Sequence, residues 1–324
     1  MKKIFSFLLV LTLIASALVF TGCSKDKPLK LGLGIYTTAK ATNATADKNG
    51  QGQATVTAAA VLVDDAGKIV KAVIDCADST VSYTFEGKAV AASEFKTKYE
   101  QGKDYNMVAH GGAAKEWFEQ ADAFCALIVG KTAAEVKALV ASNNKGTDEV
   151  INAGCTIDVA EFANAIEKAI NNATETEATE KDTLKLGVST AQSTSDANVE
   201  KDGFNQIETT LFAAALNADG KVVAASSECV QVKFAFDATG ASKFDATKAI
   251  TAKREAGKDY NMVAHGGAAK EWFEQAAAFD AACIGKTVAE IKGLMVDNYG
   301  NADLQAAGCT ILVDEFVKAA SKLG

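Results

Sequence analysis

The sequence predicts an α+β protein built from two tandem copies of one domain. The 20-residue segment GKDYNMVAHGGAAKEWFEQA occupies 102–121 and recurs letter for letter at 257–276, 155 residues later. Each copy is preceded by β-prone runs and followed by helix signals, the order expected of a small antiparallel sheet packed with three or so helices. A period this long exceeds that of a solenoid repeat and has the size of a domain.

Composition bounds the possibilities. Hydrophobic residues make up 48% and charged residues 23% of the 324, as in ordinary globular chains. Abundant alanine predicts cores of small side chains. A net charge of −8 argues against a nucleic-acid partner, because nothing would neutralise a run of phosphates.

The N-terminus reads as an export signal. Met1-Lys2-Lys3 is basic, residues 4–20 are apolar, and Phe20-Thr21-Gly22-Cys23 precedes the polar Ser24-Lys25-Asp26-Lys27. The apolar run is short for a membrane span and has the flanks of a secretory signal. Cysteine after Thr-Gly resembles a bacterial lipobox, with Phe20 in place of leucine. That resemblance implies cleavage before Cys23 and a diacylglycerol on its thiol, and two acyl chains anchor stably where one does not. Expected boundaries are a signal peptide at 1–22, a lipidated tether at 23–29, domain one at 30–171, an acidic linker at 172–183 and domain two at 184–324. The mature protein is expected on the extracellular face of the cell membrane.

Domain one opens with Lys30-Leu31-Gly32-Leu33-Gly34, and domain two with Lys185-Leu186-Gly187-Val188. Strands are predicted at 55–63 and 207–216. Turns at Asp64-Asp65-Ala66-Gly67 and Asn217-Ala218-Asp219-Gly220 lead into runs at 68–74 and 221–225, which makes a hairpin. Third strands are predicted at 80–85 and 230–236. A helix over 113–124 aligns Trp117, Ala121 and Phe124 on one face. Thr132 with Glu135, and Thr287 with Glu290, form capping boxes. Closing helices are predicted at 159–170 and 313–322. The linker, NATETEATEKDT, reads as solvated and flexible.

Both histidines (His110, His265) and both tryptophans (Trp117, Trp272) lie in the duplicated segment. His110-Gly111-Gly112 before a helix can present amide donors to a phosphate or other anion, with Trp117 or Tyr105 stacking on a ring. The same residues also read as a glycine-rich turn into an amphipathic helix whose aromatics are core. One histidine per domain cannot make a structural zinc site. Beyond Cys23, six cysteines remain, without any CxxC; they permit disulfides and also read as small buried hydrophobes. The segment of domain one aligned with Asp237-Ala-Thr-Gly-Ala-Ser242, Phe85-Glu-Gly-Lys88, lacks that pattern.

The last constellation is Gly154-Cys155-Thr156-Ile157 and Gly308-Cys309-Thr310-Ile311, each ahead of a closing helix. By itself the threonine reads as a helix N-cap. With the KLGLG opening, the D-x-x-G-K-I-V hairpin, the G-x-x-K-E-W-F-E-Q helix and V-G-K-T-x-x-E-V-K, however, the chain resembles the FMN-binding-domain lipoproteins of Gram-positive flavin-based extracellular electron transfer. The resemblance covers essentially the whole mature chain. It implies FMN joined through its phosphate to Thr156 and Thr310 by a flavin transferase, one per domain. Amides near Gly154 and Gly308 would hold the phosphodiester, and Trp117, Trp272, His110 and His265 would hold and tune the ring. Ala153 and Ala307 stand where that motif has Ser or Thr, and Cys155 and Cys309 where it has alanine. The implied function is a surface electron carrier, fed by a membrane electron-donor protein and turning over no substrate of its own. The alternative is a cofactor-free surface lipoprotein whose tandem copies bind a ligand with avidity.

Overall fold

The computed structural model describes residues 27–92 and 94–323. Signal peptide and Cys23 lie outside the described residues. The architecture is α+β, with four layers: helices, sheet, sheet, helices.

In the first half, β1 (Lys30–Thr42), β2 (Gly50–Val63) and β3 (Ile69–Tyr83) form an antiparallel meander, with a short β4 (Ala89–Val90) on its edge. Helices follow as α1 (Lys98–Gln101), α2 (Trp117–Leu127), α3 (Ala133–Lys137), α4 (Asp148–Ala153) and α5 (Ala160–Asn171). After β5 (Thr174–Glu175), the second half repeats the plan with β6 (Thr183–Ser195), β7 (Gly203–Leu216) and β8 (Val222–Phe236). Its helices are α6 (Lys253–Ala256), α7 (Trp272–Cys283) and α8 (Val288–Lys292), then the two-strand ribbon β9 (Met295–Val296) and β10 (Tyr299–Gly300), α9 (Ala302–Ala306) and α10 (Asp314–Ser321).

The runs expected as second and third strands are one strand in each half. Between the two runs, the Asp75 carboxylate accepts from the amides of Cys76 (2.7 Å) and Tyr99 (3.2 Å), so its polarity is satisfied inside β3. The KLGLG opening is the start of β1, and its glycines have a packing reason: a β-carbon on Gly32 or Gly34 would strike the carbonyls of Ala169 or Ala165 on α5. Gly187 meets Ala319 of α10 in the same way. It therefore corresponds to Gly34, 153 residues earlier, and the sheets match at that spacing while the duplicated segment keeps 155.

The two sheets pack face to face. Leu31, Leu33, Ala58, Ala60 and Leu62 of the first half share one core with Val188, Leu211, Ala213, Ala215 and Val230 of the second. Because each sheet is covered on both faces, β2 and β7 read as continuous apolar runs rather than alternating ones. Contacts across this interface come in matched pairs. Ala44 N donates to Gly240 O and Ala197 N to Gly87 O, both at 2.8 Å. Lys168 pairs with Glu255 at 2.9 Å and Lys322 with Glu100 at 2.7 Å. The equivalent residues Tyr83 and Phe236 stack on each other with centroids 4.3 Å apart, marking a local two-fold relation. The turn Asp237 to Ser242 belongs to this interface through Gly240.

The acidic linker is ordered. Its Thr174–Glu175 pairs with β1, and Ala178 is fully buried while its carbonyl accepts from Leu29 N at 2.7 Å. Most of its polar side chains face solvent, Asp182 being buried, while the backbone completes a sheet edge, which composition does not disclose.

Candidate functional site

In each half, the duplicated segment and the Gly-Cys-Thr-Ile loop meet through one glutamine. Gln120, 1% exposed, lies on α2. Its Oε1 accepts the amide of Thr156 at 2.8 Å and the hydroxyl of Thr156 at 3.0 Å. Its Nε2 donates to Lys115 O at 3.0 Å and lies 3.4 Å from Met107 Sδ. Gln275 treats Thr310, Lys270 O and Met262 Sδ identically.

Neither threonine is a helix cap. The residue capping α5 is Val159, and that capping α10 is Val313, three residues further on in each copy. Thr156 and Thr310 are instead exposed side chains at the rim of the loop. Gly154 and Gly308, at φ 98° and 99°, end α4 and α9 in the left-handed conformation that lets the chain reverse. Beside each of these glycines lies a lysine ammonium, from Lys115 or Lys270, in the space a β-carbon would take. Both lysines belong to the duplicated segment, and their identity in the two copies is the signal that could have singled them out.

The expected anion cradle at His110-Gly111-Gly112 does not lie at the helix N-terminus. The helix begins at Trp117, not at residue 113, because Glu116 and Glu119 form its capping box. Glu116 also accepts the loop amides of Met107 (2.9 Å) and Val108 (3.4 Å), and Glu271 repeats this with Met262 and Val263. A buried carboxylate of the chain itself thus caps the helix and holds the loop that leads to the histidine. His110 and His265 are exposed on this loop, and His110 is not among the residues lining the cavity below.

That cavity, of about 280 Å³, opens next to Thr156 in the first half. Ile157 and Asp158, directly after Thr156, form part of its wall with Tyr105, Met107, Trp117 and Lys98. Trp117 is a wall rather than a free stacking face: it is buried and meets Phe162 edge-on at 5.6 Å. Trp272 is likewise buried, against Phe316. Lys98 lies 5.3 Å from the Tyr105 centroid and 5.7 Å from that of Trp117, within cation–π range. The lining also holds Glu161, so its charge is mixed, and its aromatic walls beside an accessible hydroxyl and a lysine can take a planar ring tethered through phosphate. The residues present fit FMN.

A larger cleft, about 740 Å³, lies between the halves and is lined by Leu29, Leu33, Glu175, Glu228, Arg254 and Asp280. Arg254 and Asp280 pair across it at 2.8 Å. It contains none of the threonines, glycines, histidines or tryptophans expected at the site. All six cysteines among the described residues are free and buried. Cys283 takes the place of Ile128, 155 residues earlier, and both are fully buried, which explains why Cys125 and Cys283 do not align. Among the described residues no His, Cys, Asp and Glu cluster could hold a metal, and no helix is long and apolar enough to cross a membrane.

No family model matches the chain, and no solved structure matches it. A chlorophenol reductase of Desulfitobacterium hafniense is 33% identical over 121 residues, which are 33% of this chain and 37% of that protein. The match therefore spans little more than a third of the relative's length.

Proposed function

We propose that the protein is a surface-tethered flavoprotein electron carrier, with FMN attached covalently at Thr156 and Thr310. The observation that carries the reading is the twofold convergence of an exposed threonine hydroxyl, a buried glutamine that fixes it, and an adjacent lysine ammonium. Buried structural threonines need no accessible hydroxyl, and these two are exposed. Lys115 and Lys270 would face the phosphodiester, and the cavity lined by Tyr105, Met107 and Trp117 would take the ring. The redox chemistry is the flavin's; the protein holds it, shields one side and sets the charge around it. A lipid at Cys23 would keep the carrier beside a membrane electron donor, and a flavin transferase would load it. Expressing the chain with a transferase and examining the denatured protein for bound flavin fluorescence tests this. A colourless product refutes it.

One observation favours the cofactor-free alternative, a tandem binding module. Trp117, Gln120 and Ala121 are buried, so much of the duplicated segment serves the core. That reading predicts no flavin in either half.

A further inference from the structure

The two halves differ in how they treat the lysine of the cavity. Lys253 sits 5.3 Å from the Tyr260 centroid and 5.5 Å from that of Trp272, as Lys98 does over Tyr105 and Trp117. In the second half this ammonium is committed. Glu208 Oε1 lies 3.1 Å from Lys253 Nζ, with only 7% of the lysine side chain exposed. Gln231 Nε2 and Cys229 Sγ donate to the same carboxylate. Burial alone would raise the Glu208 carboxyl, but Lys253, Gln231 and Cys229 outweigh it and hold the group below its usual range.

In the first half the position of Glu208 is taken by Thr55, 153 residues earlier. Thr55 has no charge to offer, and its hydroxyl donates to Asp78 Oδ1 at 3.2 Å, where Gln53 Nε2 also donates at 2.6 Å. Among the described residues, no acid lies within ion-pair distance of Lys98. Further acids lie nearby: Asp78 acts on Lys98 from beyond ion-pair distance, and Asp158 and Glu161 line the same cavity. Glu161 is held by the Thr57 hydroxyl at 3.0 Å, and Glu315 by Ser189 at 2.6 Å and by the exposed Lys318. What separates the halves at the lysine itself is therefore the contact ion pair: Lys253 has one with Glu208, while Asp78 acts on Lys98 only from further away.

We propose that the two sites are electronically unequal, with Lys98 held in no contact ion pair and so open to negative charge on a bound ring, and Lys253 already paired with Glu208. The inference rests on the flavin reading above. Two-electron reduction takes two electrons and one proton from an external reductant and leaves the ring one unit more negative near neutral pH. A cation beside the ring favours that form. Electrons entering either half would settle on the first.

The test uses the full chain loaded in one half at a time. Thr310→Ala leaves flavin on Thr156 alone, and Thr156→Ala leaves it on Thr310 alone. Each form is titrated with dithionite against a reference dye at pH 7. The first half should bind the reduced ring over the oxidised ring at least tenfold more selectively than the second, which is about 30 mV for a two-electron couple. Thr55→Glu should lower the potential of the first half, and Glu208→Thr should raise that of the second. Each exchange installs the residue that the other half carries at the same strand position. Flavin present with equal potentials, or no shift in either exchange, overturns the inference and leaves the carrier reading standing. Flavin absent from both forms overturns the two together.

Discussion

The side-chain oxygen of Gln120 accepts both the amide and the hydroxyl of Thr156, and Gln275 does the same for Thr310 at the same distances of 2.8 and 3.0 Å. The threonine proton is thereby directed inward while its oxygen faces solvent, the orientation in which a modifying enzyme can reach it. Gln120→Ala leaves the Thr156 amide without this acceptor. It is expected to destabilise the protein by about 1–3 kcal/mol, measured by urea unfolding. It should lower flavin occupancy on Thr156 while leaving Thr310 loaded.

The shared core between the sheets makes the halves one cooperative unit. Tyr83 and Phe236 are both fully buried and stacked at its two-fold. Phe236→Ala is expected to cost about 3–5 kcal/mol. Denaturant curves of Trp117→Phe and Trp272→Phe, which report each half separately, should coincide with each other and shift together when Phe236 is truncated. Two separated transitions would show independent domains.

Stability should fall as pH rises through the weakly acidic range. Burial raises the carboxyls of Asp75 to about 6 and Glu228 to about 7. A folded-state pKa above the unfolded value means that the native state binds the proton more tightly. The associated stability is complete below about pH 4 and is lost as pH passes 6 to 7. Glu228→Gln keeps an acceptor for the amides of Cys229 and Arg254. Its unfolding free energy should vary less between pH 4.5 and 7.5 than that of the parent, by on the order of 1–3 kcal/mol.

Burial pushes the thiols of Cys155 and Cys309 up to about 11, and that of Cys76 up to about 12. Thiols so protonated are poor nucleophiles. The native protein at pH 8 should resist a thiol-specific disulfide reagent at all six buried cysteines. Unfolding in guanidinium should release all six within the same assay, and rapid labelling of the native state would argue against this packing.

Much of the fold was legible in the sequence, because its signals are local. The turns at Asp64 and Asn217, the capping boxes at Thr132 and Thr287, and the closing helices each depend on a few adjacent residues. The face-to-face sheets were not, because an apolar run such as β2 looks the same whichever layer covers it. Gly32 and Gly34 read as an opening motif, yet their meaning is the approach of α5, more than 120 residues away. At the site, Thr156 and Thr310 stood out through their repeated motif. Gln120 and Lys115 did not, since only folding brings them to that loop. Glu116, which caps the helix and holds the amides of Met107 and Val108, looked like an ordinary helix residue.

The most direct test of the central claim is the intact mass of the denatured full chain after expression with a flavin transferase, followed by peptide mapping. The account predicts two FMN-sized additions, one on the peptide carrying Thr156 and one on that carrying Thr310. A mass without additions, with no flavin released on unfolding, would contradict it.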